Sequence, residues 1–470
     1  MMSLFNILNL GAGSLDAETQ ATSVTGENLS NVNNPAYARQ RVDFTASTPL
    51  NTPVGQEGTG VTVTAIQQIR DALLDTQIQS EAGVTGSLNA QQTALQNAEA
   101  ALAEQITNTS TSGSNSSPNG LAADLSSLFN SLQSLSTSPQ DISLRQGVIG
   151  AAQQVAAQFN QDASSLSSLT TTINSSIDSD VSGANQDLSQ IAALNAQIVQ
   201  AQAIGGTAND LIDQREQVME DLASKVNFTT SNVGNGAVDV TIGGVQMVNN
   251  ITQTDSLATG FEPTTGRYLV KAQNAGTFLS LAGGSIEGDI TVRDGALAQL
   301  QTSLDSLASQ VTGSFNSIYS AGFDLHGNTG QNFFNGVTAA SISVNSSLVA
   351  DPTTFHASGT AGATGGNSVV VALAQLANTP NANLGGLTIS GNYAQTVANL
   401  GNALSSVNVQ VANNGAMTQM LTNQRQSVSG VNIDEEMTNL MQFQKAYEAS
   451  AELITTINEM LQTVVNMKTT

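Results

Sequence analysis

No cysteine occurs in the 470 residues, which excludes disulfides, thiolate nucleophiles and thiolate metal sites together. The redox compartment stays open on that ground, although the composition suits an exported chain that needs no oxidation. Tryptophan is also missing, and aromatic residues amount to 4% of the chain. A chain this poor in large side chains and rich in Ala, Ser, Thr, Asn and Gln suits long helices with thin seams better than one thick core. Basic residues are scarce as well: 12 Lys and Arg stand against 36 Asp and Glu, a formal charge of −24. Phosphate backbones and anionic lipid surfaces would be repelled over most of such a surface, so nucleic acid is a poor partner. No run approaches the length of apolar residues that crosses a membrane. Met1 to Leu10 lack a basic region and a long apolar stretch, and Gly11 to Gln20 are already polar, so no cleaved signal peptide is expected.

Catalytic and metal chemistry is equally thin. The two histidines, His326 and His356, have no metal-ligand spacing and read as surface or loop residues. Asp324, Gly327 and Asn328 do not match a calcium loop, because the glycine spacing differs and the distal carboxylate is missing. No glycine-rich phosphate loop precedes a lysine, and the many serines lack a histidine and acid partnership. Asp213, Arg215 and Glu216 read as a solvated or interface salt-bridge face of a helix, with Asp213 and Glu216 three residues apart on one side. No catalytic, cofactor or metal residue is expected, and the chain reads as a non-enzyme.

What is present is helical periodicity. From Ser3 to about Val32, Leu8, Leu15 and Leu29 stand seven or fourteen apart and define a narrow apolar seam. Pro35 ends that helix, and extended chain follows through Val61 to Thr64. Helical pattern resumes from Asp71 to Ile106 and stops in a polar run, 107–120, expected as a loop. Leu121, Leu125, Leu128, Leu132 and Leu135 step by three and four up to Pro139. Further helical pattern runs from Ile142 to about Ile177 and from Leu188 to Ile198, breaks at Gly205-Gly206, and returns at Leu211, Val218 and Leu222. Between about 227 and 293 the period changes to alternation, as in Val238, Val240 and Ile242, which predicts an inserted β region. Helix returns near Gly295 to Tyr319 and again from Asn392, with an interruption around Gly430.

The last helix is the most informative. Leu440, Tyr447, Ile454 and Leu461 recur every seven residues, with Phe443, Ile457 and Val464 at the companion position and Ser450 as its polar member. Asn432 and Glu435 have capping-box spacing, and Asp434, Glu435 and Glu436 complement the helix N-terminus. Burying seven apolar seam positions contributes about 10 to 20 kcal/mol. Ordering the helix backbone costs on the order of 30 to 60 kcal/mol, which hydrogen bonds recover in part. The two terminal seams are therefore expected to pair, to pack against other subunits, and to fray in the free monomer. The fold class expected is α+β multidomain. A terminal coiled-coil unit takes 1–60 with 425–470, a helical middle unit takes 61–226 with 295–424, and a β-rich outer unit takes 227–294.

The string Asn28-Leu29-Ser30-Asn31-Val32-Asn33-Asn34-Pro35-Ala36-Tyr37-Ala38-Arg39-Gln40 resembles the N-terminal signature of flagellar rod, hook and hook-associated proteins. Ser429-Gly430-Val431-Asn432-Ile433-Asp434-Glu435-Glu436, and then Gln444 to Ala451, resemble hook-associated protein 1 more than hook protein. Ala208 to Glu216 and Ala321 to Asn328 resemble the same family, so the likeness covers most of the chain and is weakest over the β insertion. Asn28, Asn31, Pro35, Tyr37, Arg39, Gln40, Gly430, Asp434, Glu435 and Glu436 carry the signature. Ala36 stands where the family usually has Gly, which favours a type I turn over type II.

The resemblance implies a junction between flagellar hook and filament, with terminal helices in an inner tube and β domains outside. It further implies export, unfolded, through the flagellar type III channel to the outside of the cell. The implied partners are a ring of copies of this chain, hook protein, a second hook-filament junction protein, and an export chaperone near the C-terminal helix. The assembly contacts expected are Leu8, Leu15 and Leu29 with Leu440, Phe443, Tyr447, Ile454, Ile457, Leu461 and Val464. Another axial role, or a glycan-binding role for the insertion, is the alternative.

Overall fold

The computed structural model describes residues 4–52, 55–102 and 120–467. The expected loop at 107–120 lies almost wholly outside them. Helix α1 (Leu4–Ser30) is followed by β1 (Gln40–Ala46), the small ribbon β2 (Leu50–Thr52) and β3 (Gly55–Glu57), and β4 (Val61–Gln68). β1 pairs antiparallel with β4, from Gln40 opposite Gln68 to Ala46 opposite Val61, with a bulge at Asp43/Phe44. Between helix and strand the backbone turns at Asn34 to Tyr37, where the Tyr37 N–H donates to the Asn34 carbonyl at 3.2 Å. Among the described residues, Asn250 is the sole non-glycine with positive φ. Ala36 therefore does not adopt the type II conformation, in line with the alanine there.

Four helices follow: α2 (Ala72–Ala101), α3 (Leu121–Thr137), α4 (Ile142–Ala203) and α5 (Asn209–Lys225). Asp71 caps α2, accepting from the Leu73 N–H at 3.0 Å, and Asp141 caps α4, accepting from the Ser143 N–H at 2.7 Å. The two helical segments expected at 142–177 and 188–198 are one helix of 62 residues. Val181 and Ala184 are buried and carry the three-and-four stripe across the gap, so nothing in the chain stops the helix there.

A four-stranded meander packs on α4: β5 (Thr229–Asn232), β6 (Val238–Ile242), β7 (Val245–Asn249) and β8 (Thr252–Gln253). Gly243 and Gly244 both take positive φ, as the two-residue turn between β6 and β7 demands. A separate hairpin, β9 (Leu257–Phe261) with β10 (Tyr268–Ala272), completes the strands of this region. The β region expected to reach 293 ends earlier. Gly283-Gly284 open helix α6 (Ser285–Val292), which runs through a π-turn at Arg293–Leu297 into α7 (Ala298–Tyr319). The glycines serve a crossing: a methyl on Gly86 would overlap the Ser224 carbonyl, and one on Gly288 would overlap the Ser87 carbonyl. Helices α2, α5 and α6 thus meet at backbone distance, which periodicity alone does not reveal.

Beyond α7 lie the ribbon β11 (Phe334–Asn335) and β12 (Ser343–Val344), the short helices α8 (Ser346–Ala350) and α9 (Ser368–Gln375), and two long helices, α10 (Ile389–Ser429) and α11 (Ile433–Met467). Leu121, Leu125, Leu128, Leu132 and Leu135 are fully buried, as their spacing predicts, in one apolar core that also takes in Phe159, Phe315, Phe333 and Phe355. His356, expected as a surface or loop residue, lies in a loop between α8 and α9, but its side chain is buried in this core. Its ring stacks on Tyr319 at 4.6 Å, its Nδ1–H donates to the Tyr319 carbonyl at 3.0 Å, and its backbone N–H donates to the Tyr319 hydroxyl at 2.9 Å. Burial lowers its pKa and keeps the ring neutral.

The terminal helix pair and the joint that positions it

Asn28 occupies the centre of the joint. It is buried in the last turn of α1, and its amide uses both ends. Oδ1 accepts from the Tyr37 hydroxyl at 2.9 Å and from the Gln40 N–H at 2.9 Å, while Nδ2 donates to the Gln40 carbonyl at 2.8 Å and to Glu436 Oε2 at 3.1 Å. One side chain thereby joins α1, the start of β1 and the first turn of α11. Arg39 adds a bidentate pair with Glu435, at 2.8 and 3.1 Å, and a 2.7 Å contact from Nε to Glu436. Its own N–H donates to the Ser429 carbonyl at 2.9 Å.

Gly430 then separates α10 from α11. Its φ is ordinary, at −73°, but a methyl there would overlap the Gln426 carbonyl, so close approach rather than backbone conformation calls for glycine. Asn432 caps α11 through the Asp434 and Glu435 N–H groups, at 3.0 and 3.4 Å. The expected capping box is half made, because the Glu435 carboxylate is committed to Arg39 instead. Asp434 is exposed, Pro35 is exposed, and Asn31 donates from Nδ2 to the Glu27 carbonyl at the end of α1.

The same loop is fastened to α5. The Ala38 N–H donates to Asp213 Oδ2 at 3.1 Å, Gln40 Nε2 donates to Asp210 Oδ1 at 2.9 Å, and Asn209 Nδ2 donates to Gln40 Oε1 at 3.0 Å. Gln68 and Arg70 donate to Asp213 Oδ1, each at 2.9 Å. Asp213 and Arg215 are therefore buried rather than solvated. Arg215 points away from Asp213, as the helical spacing implies, to Asn195 Oδ1 at 3.0 Å and the Gly236 carbonyl at 2.7 Å, tying α5 to the meander. Asp210, Gln68 and Arg70 were not expected as site residues, whereas Asp213 was expected on a solvated or interface salt-bridge face; Asp210 and Asp213 also belong to the family-like string from Ala208 to Glu216.

The terminal helices pair antiparallel. Asn28 meets Glu436, Ser14 Oγ meets Ser450 Oγ at 2.9 Å, and Gly11 lies against Ile454, whose Cγ1 would be 2.9 Å from a methyl on Gly11. The face of α1 that packs inward is made of small residues: Gly11, Ala17, Ala21, Val24 and Thr25 are buried, with Ala21 and Val24 meeting Val42 and Phe443. Leu8, Leu15 and Leu29 are half-buried and lie beside that face. Small residues win the inside because they let the helix axes approach. On α11, Ile457 is buried and Leu440, Phe443, Ile454 and Leu461 are half-buried, whereas Tyr447 and Val464 are 44% and 56% exposed. The antiparallel register carries Val464 past Leu4, the first described residue of α1. Leu453, Met460 and Met467, seven residues apart, form with Val464 a second apolar stripe that is 37% to 73% exposed. Each terminal helix thus has two apolar stripes, and the pairing within the chain leaves one of each partly open.

The profile of the flagellar hook-associated protein FlgK helical domain matches residues 103–334, and that of the flagellar basal body rod FlgEFG protein C-terminal region matches 427–467. Flagellar hook-associated protein 1 of Bacillus subtilis (strain 168) is 29% identical across 99% of both chains. The protein of that name from Salmonella typhimurium (strain LT2) is 26% identical across 98% of this chain and all of its own. Along nearly its whole length the chain is similar to hook-associated protein 1. The flagellar hook junction protein FlgK from Burkholderia pseudomallei superposes with a TM-score of 0.65, covering 75% of this chain and all of that one. At 17% identity that likeness bears on the fold, an α+β assembly of several units with paired terminal helices. The family is one of structural components of the bacterial flagellum.

Proposed function

We propose that the chain builds the junction between hook and filament, acting as an assembly protein and not as an enzyme. Its partners are other axial components: copies of itself in a ring, hook protein and a second junction protein. An export chaperone engages the C-terminal helix before the chain leaves through the flagellar type III channel. The division into a terminal unit, 1–60 with 425–470, a helical unit, 61–226 with 295–424, and an outer unit, 227–294, belongs to the same reading. Within it the joint around Asn28 and Arg39 sets the angle at which the terminal pair leaves the helical unit.

The observation that carries the reading is the pair of leftover stripes. Leu8, Leu15 and Leu29 on α1, and Leu453, Met460, Val464 and Met467 on α11, remain partly open after the helices have paired. The four α11 side chains, on average about half exposed, would contribute about 3 to 6 kcal/mol if a neighbouring copy covered them, before ordering costs. Contact of the α1 stripe of one copy with the α11 stripe of the next, repeated in one direction, is head-to-tail and leads to a ring or helical array.

Electron microscopy of cells deleted for the gene, with secreted flagellin assayed in the medium, tests the junction role. Hooks without filaments and flagellin lost to the medium are expected; normal filaments would refute it. Complementation with Met460→Glu separates assembly from folding, because Met460 is 45% exposed in the single chain. The variant should fold and be exported yet fail to support filaments.

A further inference from the structure

Arg70 lies where the end of β4, α2 and α5 converge, and three carboxylates surround it. Nη2 donates to Asp213 Oδ1 at 2.9 Å, while Nη1 stands 3.4 Å from Asp75 Oδ2 and 3.7 Å from Glu216 Oε2. Nε and Nη1 are buried without a hydrogen-bond partner. One made bond for three acids is an incomplete set, and the neighbouring charges do not complete it. On α5, Arg215 reaches Glu216 only at 4.0 Å, because its own bonds go to Asn195 and Gly236. Arg425 from α10 is paired with Glu220. Arg39 is held by Glu435 and Glu436 of α11. Asp71 on α2, Asp210 on α5, and Glu27 and Tyr37 on the α1 side add only negative or neutral groups.

We propose that this cluster holds one proton at neutral pH, on Glu216, and that its release loosens the joint between the terminal helix pair and the helical unit. The hydrogen bonds decide which acid carries it. Asp213 accepts from Ala38, Gln68 and Arg70, all of which favour its ionised form, whereas Glu216 accepts from Gln79 Nε2 alone among neutral donors, at 3.0 Å. Burial pushes Glu216 up to about 7, opposed by Arg70 and Arg215 and reinforced by Asp75 and Glu220. Asp75 is raised too, chiefly by burial, and Asp213 is raised to about 6, because burial outweighs its hydrogen bonds; Glu216, at about 7, is the last of the three to lose its proton. When the Glu216 carboxyl gives its proton to solvent, one guanidinium faces three carboxylates. Their repulsion acts across the contact between α2 and α5, on the helix whose Asp213 holds the Ala38 N–H.

The sign follows from linkage. The joined state binds a proton that the separated state, with Glu216 near its ordinary value, has already released, so opening becomes easier as pH rises from about 4.5 to about 7. Between about pH 5.5 and pH 8.5 the opening constant rises by at most about thirtyfold. Hydrogen exchange on the full chain reads this directly at the Ala38 and Arg39 amides, after correction for intrinsic rates, with amides in the middle of α4 as reference. Protection at the joint should fall with pH while α4 holds. Glu216→Gln, which mimics the protonated acid, should remove most of the fall, leaving the smaller part due to Asp213 and Asp75, and protect the joint better than wild type at pH 8.5. Asp75→Asn should act in the same direction more weakly. A Glu216→Gln joint that keeps the wild-type pH dependence, or exchanges faster at pH 8.5, would overturn the proposal.

Discussion

Replacing Asn28 with alanine removes four hydrogen bonds from a buried site. It strands the Tyr37 hydroxyl, the Gln40 N–H and carbonyl, and one oxygen of Glu436, a residue that is 2% exposed. Each buried group left unpaired costs about 1 to 3 kcal/mol. Glu436 keeps its contact with Arg39, and water can reach part of the vacated volume, so about 3 to 5 kcal/mol is expected in place of the full sum. The loss should be local. Peptides covering 28–40 and 433–440 should lose most of their exchange protection in denaturant-dependent hydrogen exchange, while α3 and α4 keep theirs. Asn28→Asp sharpens the test, because it turns a donor 3.1 Å from Glu436 Oε2 into a second carboxylate. Two like charges at that distance repel by about 5 kcal/mol at an effective dielectric of 20. Asn28→Asp should therefore damage the joint at neutral pH, recover as the pH falls, and be rescued by Glu436→Gln. Loss of less than about 1 kcal/mol in Asn28→Ala, or equal loss in the joint and in α4, would refute the reasoning.

Three further outcomes are expected. Gly86→Val forces a side chain into the Ser224 carbonyl and should destabilise the helical unit by more than about 3 kcal/mol in denaturant titration, whereas the same change at exposed Gly58, with open space around it, should cost little. Tyr319→Phe leaves the buried His356 N–H without its acceptor and should cost about 1 to 3 kcal/mol. Asp289 is raised to about 6, first by burial and then by Asp180 against Arg293. The folded chain thus holds a proton between about pH 4 and 6 that the unfolded chain releases, and stability from this group is lost as pH rises through that window. Asp289→Asn should raise the melting temperature at pH 7.5 and flatten its dependence on pH.

The sequence by itself determined where most of the long helices lie and which family the chain resembles. Periodicity and end signals suffice for that: the leucines from Leu121 to Leu135, the caps Asp71, Asp141 and Asn432, and the stop at Pro35 all act through neighbours within a few residues. The heptads also indicated, correctly, that the two chain ends pair. Which face of α1 goes inside was settled elsewhere. A stripe reports which residues share a side of a helix and not what covers that side, so the leucines stood out while Gly11, Ala17 and Ala21, which allow the close approach, did not. The acids of α5 were legible as a salt-bridge face, but whether that face was solvated or covered was not, because their cations, Arg70 at the end of β4 and Arg425 on α10, are remote in sequence. The burial of His356 within its loop was not legible because Tyr319, the ring it stacks on, lies 37 positions away. Those choices were made by tertiary structure, since burial and pairing across long separations set the cost of each polar group, and local pattern carries no record of that cost.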